Sequence, residues 1–258
     1  MSDGRDLLLL EVEELTVRFG GAIAVDDLSL AVPPRRITGL IGPNGAGKTT
    51  TFNACCGLLR PTRGAVRLAG RDLATVPPQH RAQLGLGRTF QRMELFGSLT
   101  VRENVALGRE ALLAGRVPWR HLFCSSAERH VIDAATDEAL ELCGIAGLAA
   151  RPVVSLSTGQ RRLVELARVV AGGFPLLLLD EPSSGLDVAE TLEFGQILEK
   201  LVSDRGIGIL LVEHDMSLVM SVCSHLYVID FGRPIFAGSA DEAQRSAVVR
   251  AAYLGEAE

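Results

Sequence analysis

One short segment constrains the fold of this chain more than any other feature of its sequence. Residues 42–49 match the pattern G-x-x-x-x-G-K-[ST], and they read Gly42, Pro43, Asn44, Gly45, Ala46, Gly47, Lys48 and Thr49. In this pattern the glycines let the backbone pass close to phosphate groups, so that its N–H groups point at phosphate oxygens. The segment therefore predicts a buried strand, a phosphate-binding loop and a helix, in that order along the chain.

The neighbouring residues favour a phosphate loop over a glycine-rich turn with an incidental lysine. A short apolar run, Ile37–Ile41, precedes the loop, and a helical segment follows from Lys48 to about Leu59. The N-terminal end of that helix carries a partial positive charge that attracts phosphate. We expect Lys48 to reach the β- and γ-phosphates and Thr49 to bind Mg²⁺ through its hydroxyl. Thr50 is assigned to the same nucleotide site.

A pair of carboxylates follows a second apolar run. Asp180 and Glu181 come directly after Leu176–Leu179. Ligands of open α/β sheets lie at the carboxyl ends of the strands, where Asp180 can bind Mg²⁺ and Glu181 can act as general base for an attacking water. Two solvated acids at a strand end are the alternative. In a chain that also has a phosphate loop, the pair favours hydrolysis of ATP.

A helix start that could bind a second anion precedes these acids. Ser157 and Gln160 have the spacing of a capping box, so a helix is predicted to begin there. Its first N–H groups and its dipole form an anion site that has no lysine of its own. The alternative is a plain helix start. The arginines that follow, Arg161, Arg162 and Arg168, are interpreted as a solvated face or as members of local salt bridges.

The order of predicted elements indicates an α/β chain that is interrupted by helices. Strands are predicted at 7–17, 22–32, 65–70, 176–179, 207–212 and 226–229. Helices are predicted at 101–113, 127–143 and 188–203. Continuous apolar strands that alternate with helices imply a mostly parallel sheet covered on both faces. We therefore expect a split α/β core with a helical insert in the middle of the chain.

Composition narrows the classes of function. The chain has 258 residues and a net charge of −5, so no strong field draws it to nucleic acid. Its five cysteines form no C-x-x-C pair and its five histidines no H-x-x-x-H pair, which favours a reducing cytoplasm and argues against a zinc site. We see no signal peptide, and the apolar runs are much shorter than the ~20 residues of a membrane helix. We expect any membrane association to require a partner protein.

Lysine is rare in this chain. Only two of its 26 lysine and arginine residues are lysine, Lys48 and Lys200. A coding bias toward arginine explains the basic positions in general, but Lys48 lies where a compact ammonium has to fit inside a phosphate cradle. Lys200 stands in the sequence Leu-Glu-Lys-Leu, so the chain lacks the Asn-Lys-x-Asp segment with which a GTPase reads guanine.

Taken together, the motifs resemble those of the ATPase subunits of ABC transporters, over nearly the whole chain and in the order of that family. The resemblance implies an α/β fold: a P-loop nucleotide-binding core with a mostly parallel sheet, an N-terminal antiparallel β subdomain and an inserted helical subdomain. It implies one ATPase domain over 1–258, with the core at 1–91 and 156–258 and the helical subdomain at 92–155. It also implies that the cofactors are ATP and Mg²⁺.

The resemblance assigns further residues to the nucleotide site. Phe19 is similar to the aromatic residue that stacks on adenine, and Gln91 to the glutamine that senses Mg²⁺ and the attacking water. His214 is similar to the switch histidine that touches the γ-phosphate. The signature, and the loop that follows the catalytic glutamate, supply Ser157, Gly159, Gln160 and Asp187. Thr158 departs from the family pattern, because it replaces the first of the two glycines that are usual in the signature.

Members of this family work in assemblies, and the resemblance therefore implies partners. Two ATPase subunits, identical or paralogous, pack head to tail, so that each ATP lies between the phosphate loop of one and the signature of the other. Membrane permease subunits insert coupling helices into the ATPases, and a solute-binding protein acts indirectly. We expect Met93, Leu95, Phe96 and Leu99 to line the groove for a coupling helix, or else to be core of the helical insert. The implied location is peripheral, on the cytoplasmic side of the inner membrane.

Closer features resemble the ATPases of branched-chain amino-acid importers. These features are the segments 18–21, 42–53, 87–91, 211–216 and 252–256, and the additional segment 109–130 in the helical insert. Importers of urea and short-chain amides and exporters of lipopolysaccharide or lipid are the alternatives, followed by a soluble ABC ATPase. In this family the ATPase subunit does not contact the solute, so the solute is assigned from the resemblance to these importers.

Overall fold

A computed structural model describes residues 8–89, 94–114 and 125–254 of the chain. Its N-terminal part contains an antiparallel sheet of four strands in the order β2-β1-β4-β5. The strands are β1 (Leu10–Phe19), β2 (Ala22–Val32), β4 (Arg63–Leu68) and β5 (Arg71–Asp72). β1 and β2 form a hairpin in which Phe19 is paired with Ala22. The N-terminal antiparallel sheet that the resemblance implies is therefore confirmed.

A second, six-stranded sheet carries the nucleotide motifs. Its order is β10-β9-β3-β8-β7-β6. The strands are β3 (Ile37–Ile41), β6 (Leu86–Arg88), β7 (Leu176–Asp180), β8 (Gly208–Val212), β9 (His225–Asp230) and β10 (Arg233–Gly238). Neighbouring strands run parallel except for the β9–β10 pair. Every residue of β3, β7 and β8 is buried, which explains their continuous apolar sequences. The mostly parallel sheet is thus confirmed.

The register of this sheet brings three motif-bearing strands to one edge. Leu40 is paired with Val212, and Val212 is paired with Asp180. The phosphate loop, the segment that begins at Glu213 and the segment that begins at Glu181 therefore leave the sheet side by side.

Helices cover the central sheet. They are α1 (Lys48–Cys56), α2 (Pro78–Gln83), α3 (Val101–Ala114), α4 (Ser126–Leu142), α5 (Thr158–Ala171), α6 (Val188–Arg205), α7 (Met216–Val222), α8 (Ala240–Arg245) and α9 (Ala247–Leu254). Two short 3-10 turns, Ala146–Leu148 and Val153–Ser155, lie between α4 and α5. Among the described residues, no helix is long and apolar enough to span a membrane.

The central sheet separates two hydrophobic cores. Alternate residues of its strands, such as Leu176 and Leu178, pack with α1 and the antiparallel sheet. The intervening residues, such as Leu177 and Leu179, pack with α3, α4, α5 and α6. Because successive strand residues point to opposite faces, one apolar run serves both cores.

Some element boundaries differ from those that the sequence predicts. α1 ends at Cys56 rather than near Leu59, because Gly57 adopts a left-handed φ of 80° and its N–H bonds to the carbonyls of Ala54 and Asn53. The short elements β5, β6, β10 and α2 carry too little periodicity to be predicted. For Arg162, the local salt bridge rather than the solvated face is confirmed, since it is 6% exposed and forms an ion pair with Glu165, three residues along the same helix.

Candidate active site

The phosphate loop is a tight turn with no room for side chains at two of its glycines. Gly42 has φ 155° and Gly47 has φ 105°. A Cβ atom on Gly42 would lie 2.0 Å from the carbonyl oxygen of Ile229, and one on Gly47 would lie 2.5 Å from that of Ala24. The loop is therefore held between β2 and the end of β9. The N–H of Gly232 also donates to the carbonyl of Ala46, at 3.0 Å.

Lys48 is buried within this loop. Its side chain is 6% exposed, and its ammonium donates to the carbonyls of Gly42, at 2.5 Å, and Pro43, at 2.9 Å. α1 begins after Gly47 with no side-chain cap and no acidic residue in its first turn. The first N–H groups of α1 and one ammonium thus lie together, and this arrangement suits a bound phosphate.

Asp180 lies at the carboxyl end of β7 and is 5% exposed. Its pKa is raised from 3.8 to about 6, chiefly by burial and also by the charges of Glu181 and Glu213, while Arg88 and Lys48 oppose the rise. Its Oδ1 atom has no hydrogen-bond partner among the described residues. A buried carboxylate oxygen without a donor, in a cluster of negative charge, fits a divalent cation. Thr49, directly after Lys48, has an exposed side chain.

Glu181 has an unusual backbone conformation. Its φ is 47°, in the left-handed region that residues other than glycine rarely adopt. Its N–H donates to the carbonyl of Val212 at 2.8 Å, and its own carbonyl accepts the N–H of Ser184 at 3.2 Å. The side chain is half-buried. Backbone strain of this kind, at a residue expected to be the base, is common in functional sites.

His214 and Phe19 both present exposed side chains. His214 follows β8, its side chain is 58% exposed, and its Nδ1 lies 3.8 Å from a carboxylate oxygen of Glu213. Phe19 is 52% exposed at the end of β1, so its ring is accessible to a stacking partner. Gln91 lies outside the described residues.

The predicted signature residues form a second cluster at the N-terminal end of α5. Ser157 and Gln160 make the capping box that their spacing predicts, with both hydrogen bonds at 3.2 Å. Asp187 caps α6 in the same manner. A Cβ atom on Gly159 would lie 2.3 Å from a carboxylate oxygen of Glu190, in the first turn of α6. The starts of α5 and α6 are therefore packed directly against each other.

The structure therefore divides the predicted residues into two groups. The phosphate loop, Asp180, Glu181 and His214 share one edge of the central sheet. Ser157, Gly159 and Gln160 line a small cavity of about 210 Å³ beside α6.

A groove lies beside the helical region. It has a volume of about 590 Å³ and is lined by Leu95, Phe96, Leu107, Ala111, Arg168 and Phe174, among others. Phe96 is 56% exposed. Its turn is fixed by the buried Asn104, which accepts the N–H of Phe96 at 2.9 Å and donates to its carbonyl at 3.0 Å. Met93, predicted to line such a groove, lies outside the described residues.

Sequence reasoning missed Asn104 and also Glu213, which is fully buried. The available signal for Glu213 was its position directly after a continuous apolar strand. Nothing in the spacing around Asn104 distinguishes it from other polar helix residues.

Comparison with known proteins gives concordant matches. A family profile described as "ABC transporter" matches residues 25–184. The chain is 40% identical over 252 residues to the high-affinity branched-chain amino acid transport ATP-binding protein LivG of Salmonella typhimurium, covering 96% of this chain and 98% of LivG. It is 34% identical over 248 residues to the lipopolysaccharide export system ATP-binding protein LptB of Acidithiobacillus ferridurans, covering 96% of this chain and 97% of LptB.

Among solved structures, the ADP conformation of MJ1267, an ATP-binding cassette of an ABC transporter, superimposes with a TM-score of 0.84. The sequences are 29% identical, and the match covers 96% of this chain and 99% of that one.

Proposed function

Since the chain belongs to the ABC transporter ATP-binding proteins and is an ATP hydrolase that serves such a transporter, we propose that its transporter imports branched-chain, hydrophobic amino acids. The observation that carries this proposal is the greater identity to LivG than to LptB over a similar length. Export of lipopolysaccharide is the second candidate because LptB also matches nearly the whole chain. Import of urea or short amides is the third.

For ATP binding, we assign the phosphates to the phosphate loop and α1. The N–H groups at the start of α1 donate to the phosphate oxygens, and Lys48 exchanges its bonds to Gly42 and Pro43 for bonds to phosphate oxygens. Thr50 lies in the same first turn, and Phe19 stacks on adenine. Thr49, Gln91 and Asp180 hold Mg²⁺, which when bound neutralises charge on the phosphate oxygens.

For hydrolysis, we assign the general base to Glu181. It follows the last residue of β7, at the edge of the sheet where the phosphate loop also lies, and it takes a proton from the attacking water. His214 donates a hydrogen bond to the γ-phosphate, and Gln91 orients the water. Catalysis is then mostly positioning and charge stabilisation.

The assembly follows from the division of the site into two clusters. We propose that a second ATPase subunit, identical or paralogous, packs head to tail with this chain. Ser157, Gly159, Gln160 and Asp187 then act on the nucleotide that is bound to the partner. The groove around Phe96 receives a coupling helix of a permease subunit, and a solute-binding protein delivers the solute to the permease. The chain would lie peripherally on the cytoplasmic side of the inner membrane, as one domain with its helical subdomain at 92–155.

Purification of the assembly tests the proposal. Glu181→Gln keeps the shape of the base but removes its charge, so with ATP and Mg²⁺ it should lose hydrolysis and trap the dimer on its permease. We expect affinity purification from membranes to recover two permease subunits. Cells that lack the chain should lose uptake of labelled leucine and retain uptake of labelled urea.

Two substitutions probe the groove. Phe96→Asp should reduce recovery of the permease several-fold, because it places a charge in an apolar contact. Val131→Asp changes an exposed apolar residue of α4, outside the groove, and should leave recovery unchanged. Loss of urea uptake or of lipopolysaccharide export, with leucine uptake intact, would contradict the solute assignment and leave the ATPase assignment standing.

A further inference from the structure

One buried carboxylate has no role in the scheme above. Glu213 follows β8 directly and is 0% exposed. Glutamate is almost never fully buried unless its charge is matched by partners. No salt bridge of the described residues pairs Glu213 with lysine or arginine, and its one ion-pair contact is the distant ring nitrogen of His214.

Backbone N–H groups from two loops supply the partners of Glu213. Its Oε1 accepts the N–H of Ser183 at 2.8 Å. Its Oε2 accepts the N–H of His214 at 3.1 Å and that of Asp215 at 3.4 Å. Ser183 lies in the loop that follows Glu181, and it is itself buried. One side chain therefore bridges the segment after β7 and the segment after β8.

We propose that Glu213 is a positioning residue that holds Glu181 and His214 in a fixed relation to each other. The proposal rests on the catalytic roles proposed for those two residues. Glu181 is held on its N-terminal side by its N–H bond to Val212, and the loop after it is held by the bond between Ser183 and Glu213. Strained backbone conformations persist only where the surrounding structure over-determines them.

The charge of Glu213 makes a simple packing role a poor explanation. The carboxylate adds negative charge beside Asp180, whose pKa it helps to raise. An apolar side chain would avoid this repulsion but would leave three backbone N–H groups without an acceptor. The two oxygens of a carboxylate are what both loops require at once, because each oxygen serves a different loop.

Substitution by glutamine tests this bridge. Glu213→Gln preserves the volume of the side chain, but its amide has only one oxygen, so it can accept from only one of the two loops. We expect kcat for ATP to fall by about tenfold or more, since a small misplacement of a positioned group has a large effect on rate. The Kd for ATP should stay within about twofold, because the phosphate loop is untouched.

Two comparisons separate positioning from a general structural role. Glu128→Gln makes the same chemical change in a carboxylate that caps α4, and kcat should be unchanged. In a His214→Ala background, where the histidine has already been removed, Glu213→Gln should have a clearly smaller effect on kcat than in the wild type. The proposal would be overturned if the effects of Glu213→Gln and His214→Ala on kcat were fully additive, or if Glu213→Gln kept the wild-type kcat.

Amide hydrogen exchange of the wild-type protein gives a test that needs no variant. The N–H groups of Ser183, His214 and Asp215 share one acceptor group, so they should exchange with similar protection, as one unit. Independent exchange would overturn the proposal, even if Glu213→Gln failed to fold. If His214→Ala retained full activity, the proposed catalytic site would be wrong, while this exchange test would still decide whether the bridge exists.

Discussion

The N-terminal ends of α1 and α5 are both expected to meet phosphate, yet they are built differently. α1 begins after Gly47 with no side-chain cap. α5 begins after Ser157, whose hydroxyl and backbone form a complete capping box with Gln160. α4, α6 and α8 have capping boxes of the same kind. α1 is thus unlike these other helices in having an N-cap residue that has no side chain to accept from its first N–H groups.

The difference teaches how one chain can hold two kinds of anion site. At α1 the N-cap residue, Gly47, has no side chain to compete for the N–H groups, and a buried lysine adds a full charge, so tight binding can occur within one subunit. At α5 Gly159 is buried, and the hydroxyl of Ser157 already accepts the N–H of Gln160. A ligand there has to share or displace the bonds of the cap, which suits a contact that forms only when a second subunit closes over it.

The largest expected effect lies at α1. Lys48→Arg should lower ATPase activity by about 10²-fold or more, because a planar guanidinium cannot occupy the position of an ammonium that lies between two loop carbonyls. Lys200→Arg alters an exposed residue of α6 and should change activity by less than about twofold. Steady-state ATP hydrolysis by the two variants measures this contrast. Equal losses of activity would contradict the proposed role of Lys48 in the phosphate loop.

A smaller effect is expected at α5. Ser157→Ala removes the cap and should cost about 1 kcal/mol of stability, seen as a decrease in Tm of roughly 2–4 °C. ATPase activity should fall by about tenfold as well, if the hydroxyl binds the nucleotide of a partner subunit. Ser125→Ala removes the equivalent cap of α4, so a similar decrease in Tm with normal activity is expected. Equal activity of both variants would show that α5 is only a well-capped helix.

A further effect concerns stability beside the phosphate loop. The pKa of Asp180 is raised from 3.8 to about 6 in the folded chain, so the folded state binds a proton more tightly than the unfolded state. Stability of the nucleotide-free chain should therefore decrease as pH rises from about 4 to 6. Asp180→Asn has no charge to bury and should be more stable above pH ~6 by on the order of 2 kcal/mol, with no difference near pH ~3.5.

Thermal unfolding of both proteins across this pH range, with a chelator present, provides the measurement. The variant should be inactive as an ATPase, since the proposed metal ligand is gone. A variant that is less stable than the wild type at neutral pH would contradict the electrostatic account of Asp180.

The sequence predicted most of the central sheet and the residues that surround the phosphate loop. Strands such as Leu176–Asp180 are short, continuous and apolar, and the loop pattern is specific, so local sequence was sufficient. The prediction for Ser157 also succeeded, because a capping box is a local device. For Arg162 the local salt bridge was predicted, but its burial was not, because that depends on a contact with Ser184 in another segment of the fold.

Glu213 and Asn104 show why the remaining functional details could not be predicted. Each makes backbone contacts whose importance appears only when separate segments meet. No periodicity marks a side chain that binds the backbone of another loop. Gln91 stays a prediction, as do the catalytic and nucleotide-binding roles of the other site residues.

The bond between Gly232 and Ala46 also has a consequence for the order in which the protein matures on the ribosome. The phosphate loop is synthesised well before Ile229 and Gly232, the residues that hold its backbone. Its parent strand β3 likewise needs β8 and β9 as neighbours. A nascent chain therefore carries its nucleotide motif before it has the segments that hold the loop in place, so the pocket for ATP can form only after β8, β9 and Gly232 have left the ribosome.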